Sequence, residues 1–321
     1  MKRICLYAGY NPDGRIADYV VRQLEALATV ADVCCCYDCP LDEAEAAKIK
    51  PFCKIILSGR HNRYDFGSWQ KLINELGWDN ISAYDWLLIC NDSCFGPFYS
   101  LNDTFQNMEN GDCDFWGITA SREHNFHLQS YFIAFNRKIT FNPVFRQFWS
   151  SIETQNDVSG VIRNYELRLT QLLTNENFRC HALVDDKSGA NPTFRPFTLL
   201  KKYHLPFIKV KCFTKPDCHL DESLPGWENF LRHIGSYPPE LIIRHCLSLG
   251  TDCQKRLAEE MPRIAAVGQF RLPGIFSMQI NRKLCLKIKL FGFTICKKSL
   301  TLASARQRKD LIEKLNHVFK T

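Results

Sequence analysis

The chain has 321 residues, 45% hydrophobic and 23% charged, a length and balance that suit one large soluble domain, alone or with an appendage. No window of roughly 18 or more apolar residues occurs, so no transmembrane helix is expected. The opening MKRICLYAGY enters a strand without the apolar run and cleavage site of a signal peptide, and a cytoplasmic location is expected. The net charge of +7 is uneven, with Lys and Arg gathering from Arg271 onward. That stretch reads as a solvated basic face or as a surface for anionic lipid headgroups; no nucleic-acid motif accompanies it.

In chain order, 3–8 reads as a strand, followed by the turn-rich loop Gly9-Tyr10-Asn11-Pro12-Asp13-Gly14. Val20, Val21, Leu24 and Leu27 recur at helical spacing and predict a helix over 18–28. A strand over 30–37, an Ala- and Glu-rich helix over 41–50 stopped by Pro51, and a strand over 54–57 follow. This alternation implies a parallel sheet with crossover helices. Next, SGRHNRYDFGSW leads into a helix over 69–76 ended by Gly77. Polar and basic residues entering a helix N-terminus suit a diphosphate or nucleotide. The structural alternative is a loop packed by Tyr64 and Phe66, with Asp65 as the helix cap.

The apolar run 86–90 reads as a fully buried strand that stops at Asn91-Asp92-Ser93, then Cys94-Phe95-Gly96-Pro97. Polar and turn residues after such a strand belong at the carboxyl edge of a sheet, where open α/β sheets bind ligands. A helix over 101–110 precedes the strand Asp114-Phe115-Trp116-Gly117-Ile118 and a longer strand over 127–136. The polar ends of these three strands could converge on one site. A helix over 143–152 carries Phe145, Phe148 and Trp149 on a core face. Residues 158–165 lead into an amphipathic helix over 166–173, opened by Glu166. Residues 178–184 read as a strand, 185–196 as a loop, and 203–211 as an extended segment ending in Lys209 and Lys211. Helices are predicted over 225–235 and 238–247, a hairpin over 276–298 and a basic amphipathic helix over 299–319.

The sixteen Cys are scattered through strands and beside turns and are expected to be reduced. Cys34 or Cys36 with Cys39, and Cys212 with Cys218 and His219, can be drawn as metal ligands, but paired CxxC knuckles at zinc-site spacing do not occur.

Five words in order, YDFGSW, NDSCFGPF, DFWGIT, HLQSYFIAF and YELRLTQLL, resemble the rhamnan synthesis F family of bacterial glycosyltransferases over roughly residues 1 to 245. The resemblance implies an α/β, GT-A-like nucleotide-sugar-binding domain with a mostly parallel central sheet and C-terminal helices over 1–250. Residues 251–321 would form a basic hairpin-plus-helix appendage facing the membrane. It implies a nucleotide-sugar donor, dTDP-rhamnose favoured, and a lipid-linked oligosaccharide acceptor in cell-surface polysaccharide synthesis. The enzyme would be peripheral on the inner face of the bacterial membrane. Inversion at the sugar carbon requires one displacement and one base.

In such enzymes the segment before the acidic strand end touches base, ribose and phosphate, which the resemblance assigns to Arg60, Asn62 and Asp65. Arg63 stands where the family pattern often has Gly. Many GT-A enzymes hold Mg²⁺ or Mn²⁺ on an Asp-x-Asp. Asn91-Asp92-Ser93 offers only Asp92 as metal ligand, so substrate phosphates and Arg60, Lys209 or Lys211 would share the charge. The structural alternative for Asp92 is a turn cap. His127, Gln129 and Ser130 supply donors and acceptors for sugar hydroxyls or phosphate.

Glu166 opens a helix whose dipole favours its ionised form, and Tyr165-Glu166 resembles the word carrying the acceptor's base in inverting GT-A enzymes. The structural alternative is a first-turn Glu serving only the dipole. By the resemblance, Asp114 contacts donor sugar or acceptor, and it is the rival base. Two other classes fit the sequence. One is a non-catalytic nucleotide-sugar-binding subunit of a polysaccharide assembly complex. The other is a two-metal phosphoesterase on Asp92, Asp114 and His127.

Overall fold

The computed structural model describes residues 1–187, 191–215 and 227–250, and the strands at 266–272, 276–281, 285–290 and 293–299. The chain divides into two units, Met1–Ser223 with Asn229–Leu257, and Leu224–Glu228 with Ala258–Thr321.

The larger unit opens with β1 (Arg3–Gly9), α1 (Asp18–Ala28), β2 (Asp32–Tyr37), α2 (Glu43–Ile49), β3 (Ile55–Ser58), α3 (Tyr64–Leu76), α4 (Trp78–Ile81) and β4 (Trp86–Asn91). These strands lie in the order β3-β2-β1-β4, all parallel. β1 and β4 are apolar almost throughout because helices cover both faces. Tyr7 on one face donates its hydroxyl to Gln23 of α1, whereas Leu6 and Ala8 on the other join the cluster around Phe66 and Trp69 of α3. The strand order reverses between β1 and β4, which makes their carboxyl ends the switch point of the sheet.

The other half is mixed. It contains β5 (Cys94–Phe95), α5 (Leu101–Glu109), β6 (Phe115–Ser121), β7 (His127–Leu128), β8 (Phe132–Asn136), α6 (Arg137–Phe141) and α7 (Pro143–Ser150). It continues through α8 (Val158–Val161), α9 (Leu167–Asn175), β9 (Cys180–Asp185), α10 (Pro196–Tyr203), β10 (Ile208–Lys209), α11 (Lys211–Thr214), α12 (Trp227–Ile234) and α13 (Glu240–Ser248). β8 runs antiparallel between β4 and β6, and β9 joins β6 in parallel. The strand expected over 127–136 is two pieces, β7 and β8, parted by a bulge at Gln129-Ser130-Tyr131. Such bulges re-aim side chains beside sites.

The core that positions the site is aromatic. Phe66, Trp69, Phe148, Trp149 and Tyr165 stand with ring centroids 5.1 to 6.3 Å apart. Each edge or offset pair adds about 0.5–1.5 kcal/mol beyond simple burial. Trp116 is fully buried against Phe105 and Phe132, which makes it core rather than a sugar platform.

Two helices differ from expectation. α3 begins at Tyr64, five residues earlier than the periodicity of 69–76 indicates, because Asn62 and Tyr64 adopt positive φ (56° and 54°) and turn the chain straight into the helix. Residues 197–202, unassigned in sequence, form the body of α10, with Pro196, expected to close a loop, in its first turn.

The smaller unit is an antiparallel sheet in the order β11 (Ala266–Leu272), β12 (Phe276–Asn281), β13 (Cys285–Leu290) and β14 (Phe293–Ser299). The expected hairpin is therefore part of a four-stranded sheet. The helix expected over 299–319, and the Cys218 and His219 ligands, lie outside the described residues apart from Ser299 at the end of β14. No helix among the described residues is long and apolar enough to cross a membrane.

Candidate active site at the sheet switch point

Two cavities of about 440 and 420 Å³ open at the carboxyl ends of β1 and β4 and share Tyr10, Asp92 and Ser93 as a common wall. The first is lined by Gly9, Asp38, Arg60, Asn62, Asp65 and Gln155, among others. Asp38 follows β2 directly, and its Oδ1 accepts the backbone N–H of His61 (2.6 Å) and of Asn62 (3.0 Å). Arg60 donates to Asn62 Oδ1 (2.7 Å) and to the Asp38 carbonyl (3.1 Å), and its guanidinium lies 5.0 Å from the Tyr10 ring centroid. Arg60 and Asn62 thus belong to one loop folded over Asp38, while Asp65 stands in the first turn of α3 and lines the same cavity. His61, buried beneath them, faces the Ser68 hydroxyl through Nε2 at 3.0 Å, and burial drops its ring to about 4. Gly9 is required here, because a Cβ would come within 2.4 Å of the Tyr37 ring.

Asp92 crosses between the cavities. Its Oδ2 accepts the Tyr10 N–H (2.8 Å), and its carbonyl accepts the Tyr19 hydroxyl (2.7 Å). Asn91 is buried; its Nδ2 donates to Asp65 Oδ2 (2.7 Å), and its Oδ1 accepts from the Ser93 hydroxyl (2.6 Å). Asn91 therefore positions Asp65 and Ser93 rather than facing the cavity itself. Lys209 reaches the same hydroxyl at 2.9 Å, because β10 pairs antiparallel with β5 and sets Lys209 opposite Cys94. Gly96 permits this close return of the chain, since a Cβ there would lie 2.3 Å from the Pro206 carbonyl.

Burial pushes the Asp65 carboxyl up to about 6, with the charges of Glu166 and Asp38 adding to the rise against the Asn91 hydrogen bond and Lys209. Burial and the charge of Asp65 push Asp92 up to about 7, against the Tyr10 N–H and Lys209. Two carboxyls so placed gain from a cation set between them. The charge of Lys209 acts on both in that sense. Asp92 with Asp65 also fits a divalent ion completed by substrate phosphates. Among the described residues, no group of three or more His, Cys, Asp or Glu could hold a metal without them.

Glu166 stands beyond Asp65. It does not open a helix. A π turn over Ile162–Glu166 joins α8 to α9, so Glu166 is interior to one helical run and the helix-start dipole argument does not apply. Single π turns inside α-helices recur at functional sites. The Tyr165 ring packs in the aromatic core, and its hydroxyl donates to the Glu153 carbonyl at 3.0 Å, which fixes the turn. Glu166 Oε2 accepts the Ser130 N–H at 2.9 Å and the Ser130 hydroxyl, so the bulge between β7 and β8 holds the carboxylate. His127 places Nε2 3.8 Å from Glu166 Oε1 while its Nδ1 lies 2.8 Å from the Asn125 carbonyl. The Tyr131 ring carries the Lys209 ammonium at 4.3 Å, linking this group back to Ser93.

Two expected residues fall elsewhere. Asp114 precedes β6, which runs parallel to β4, so it lies at the amino edge, level with Asn136 and Trp86 and at the opposite end of the sheet from Asp92. Its carboxylate is taken by the Arg179 N–H (2.9 Å) and Asn136 Nδ2 (3.1 Å), with Lys138 at 3.6 Å. The rival base and the phosphoesterase cluster both require Asp114 beside Asp92, and the topology separates them. Gln129 spends its side chain on the Thr119 hydroxyl (2.7 Å) and Asn191 (3.3 Å), inside the core.

A family model described as rhamnan synthesis protein F matches residues 33–279. The chain belongs to the rhamnan synthesis protein F family. The family resemblance of the five sequence words is borne out by this membership. The virulence protein VirA of Vibrio anguillarum is 31% identical over 136 residues, 41% of this chain and 42% of its own. Protein y4gN of Sinorhizobium fredii is 27% identical over 165 residues, 50% of this chain and 40% of its own. The chain spans about two fifths of the length of these curated relatives. The solved glycosyltransferase GlyE of Streptococcus pneumoniae TIGR4 is similar over 77% of this chain and 63% of its own, at 11% identity and a TM-score of 0.37.

In this rhamnan synthesis protein F chain, the sequence reading missed Tyr10, Asp38, His61 and Tyr131. The signal for Asp38 was present: an acid directly after a buried strand, two residues before Pro40, is the same pattern as Asp92 after β4. Tyr131 carried none, because nothing local distinguishes a bulge tyrosine from a strand tyrosine.

Proposed function

We propose that the chain is a glycosyltransferase that takes its sugar from a nucleoside diphosphate donor, dTDP-rhamnose favoured. It would transfer that sugar with inversion to a lipid-linked oligosaccharide at the inner membrane face. One observation carries the reading: Asp38, Asp65, Asp92 and Lys209 converge at the carboxyl ends of β1, β2 and β4, with Glu166 near enough for its charge to raise Asp65.

In this reading the first cavity takes the nucleoside. Asp38, whose Oδ1 is already held by two backbone amides, offers Oδ2 to ribose hydroxyls, and Arg60 stacked on Tyr10 flanks the base. Lys209 and Asp92 lie where the leaving diphosphate would sit, and Lys209 offsets its growing charge. A Mg²⁺ or Mn²⁺ ion held by Asp92 and Asp65 would supply further positive charge there. Glu166, fixed by Ser130, accepts the proton of the acceptor hydroxyl as that oxygen attacks the sugar carbon. The basic segment from Arg271 to Lys320, alternating apolar and cationic residues in sequence, would hold the enzyme against anionic headgroups.

Asp92→Asn tests the reading. Transfer should fall by roughly two orders of magnitude or more while the protein stays folded, because the variant keeps the Tyr10 N–H acceptor but loses the charge. Wild-type transfer by that variant would refute it.

A further inference from the structure

The sheet of the smaller unit has two unlike faces, and the register of its strands fixes which residues each one carries. Residues level with one another across an antiparallel sheet share a face, and neighbours along a strand alternate between faces. One row across β11 to β14 is Phe270, Met278, Ile288 and Cys296, and another is Leu272, Phe276, Leu290 and Phe293. The rows that alternate with them fall on the opposite face. These are Arg271, Ser277, Lys289 and Thr294, then Gln269, Gln279, Lys287 and Lys297. One face is thus apolar, the other carries four cations among amides and hydroxyls, and the four strands contain no Asp or Glu.

A bulge completes this sorting. The register of β14 shifts between Lys289 with Thr294 and Ile288 with Cys296, so Ile295 is the extra residue. Without the shift, Lys297 would fall level with Leu286 on the apolar face. With it, Lys297 is level with Lys287, and Lys298 takes the place beside Leu286. Like charges directly opposite each other in a sheet are unfavourable by themselves, and an anion set across them offsets that cost. An antiparallel sheet with one apolar face turns that face to a core and leaves the other to water.

We propose that the basic face of this sheet, with Arg271, Lys287, Lys289 and Lys297, docks on an anionic bilayer surface at the level of its phosphate headgroups, without entering the hydrocarbon. This deepens the membrane role of the basic segment and rests on that reading. Apolar and cationic residues that alternate along the sequence are parted onto two faces, so the contact is flat and electrostatic rather than an amphipathic insertion. The two basic rows hold no Phe, Tyr or Trp, and so lack the stacking platforms on which single-stranded nucleic acid is held.

The test is co-sedimentation of the full chain with vesicles of mixed phosphatidylglycerol and phosphatidylcholine, and of phosphatidylcholine alone, over a range of salt. Lys297→Gln and Lys298→Gln are the deciding pair, because they are adjacent, remove the same charge and fall on opposite faces. A cation close to an anionic surface contributes about fivefold in binding, so Lys297→Gln should weaken partitioning by about that factor. Lys287→Gln/Lys297→Gln should weaken it by roughly tenfold or more, and Lys298→Gln should leave it unchanged. Wild-type binding should be absent on phosphatidylcholine alone and should fall steeply with salt. The proposal is overturned if the two single variants lose equally, if only Lys298→Gln loses, or if binding survives high salt, which marks insertion. It is also overturned if the wild type binds a single-stranded oligonucleotide through Lys297 and binds no vesicles. If truncation before Arg271 abolishes vesicle binding while Lys287→Gln/Lys297→Gln keeps it, the membrane role stands and this face is refuted. If the wild type binds no vesicles, both are refuted.

Discussion

Glu166→Gln separates chemistry from binding. The wild-type carboxylate accepts two hydrogen bonds from Ser130, one from its N–H at 2.9 Å and one from its hydroxyl. Both reach the same oxygen, Oε2, so a Gln amide with its oxygen there keeps both, as neutral bonds. Charge-assisted bonds contribute about 1.5–3 kcal/mol and neutral ones about 0.5–1.5. The loss of stability should therefore be about 1–3 kcal/mol, at the lower end because the Glu166 side chain is 18% exposed. In a chain of this size that lowers Tm by several degrees and leaves the fold intact. Donor binding should be nearly unchanged, while transfer should fall by roughly two to four orders of magnitude, the span of a lost general base. The assays are donor titration by calorimetry, thermal melting, and sugar transfer to an acceptor. Normal transfer by the variant would refute the assignment, and Asp114 could not inherit the role from the far end of the sheet. Loss of donor binding would instead make Glu166 a donor contact.

Four further predictions concern the buried carboxyls, a bound metal, the far edge of the sheet and the basic segment. Asp65 at about 6 and Asp92 at about 7 both lie above the ordinary 3.8, so the folded chain holds protons that the unfolded chain releases. Their contribution to stability is full below about pH 4 and is lost as pH rises through about 6 to 7; Asp65→Asn/Asp92→Asn should shrink the Tm difference between about pH 5 and 8, and an unchanged difference would contradict this. By the same titration, Mn²⁺ should raise the wild-type Tm near pH 8 and much less near pH 5. Asp114→Asn should destabilise by about 1–3 kcal/mol through the Arg179 and Asn136 contacts, seen as a lower Tm, with donor affinity unchanged. A chain truncated before Arg271 should lose co-sedimentation with anionic vesicles, and equal binding would remove the membrane role from that segment.

The parallel half of the sheet was legible because β1, β2 and β4 are buried apolar runs, punctuated by Gly9, Pro51 and the polar end at Asn91. Asp92, Ser93 and Lys209 were legible for the same reason: each closes an apolar run. Asp114 was misplaced because a polar residue at a strand end does not say which edge of the sheet it occupies. That depends on strand direction, and two antiparallel pairings turn β6 back parallel to β4. Gln129 was misjudged because a bulge breaks the period-of-two pattern that assigns side chains to faces. Glu166 was found for a reason that does not hold. The Leu spacing after it suggests a helix start, and a π turn leaves no mark in that spacing, so the real support, Ser130, came only from the fold.

The central claim is that the cleft at the ends of β1 and β4 binds a nucleotide sugar. The most direct measurement is titration of wild type and Asp92→Asn with a panel of nucleotide sugars, with and without Mg²⁺ or Mn²⁺, reading heat of binding and release of nucleoside diphosphate. The wild type should bind a nucleoside diphosphate sugar saturably, tightest for dTDP-rhamnose, with slow release of the diphosphate that Asp92→Asn abolishes. Binding of no nucleotide sugar, or equal binding and turnover by both proteins, would contradict it.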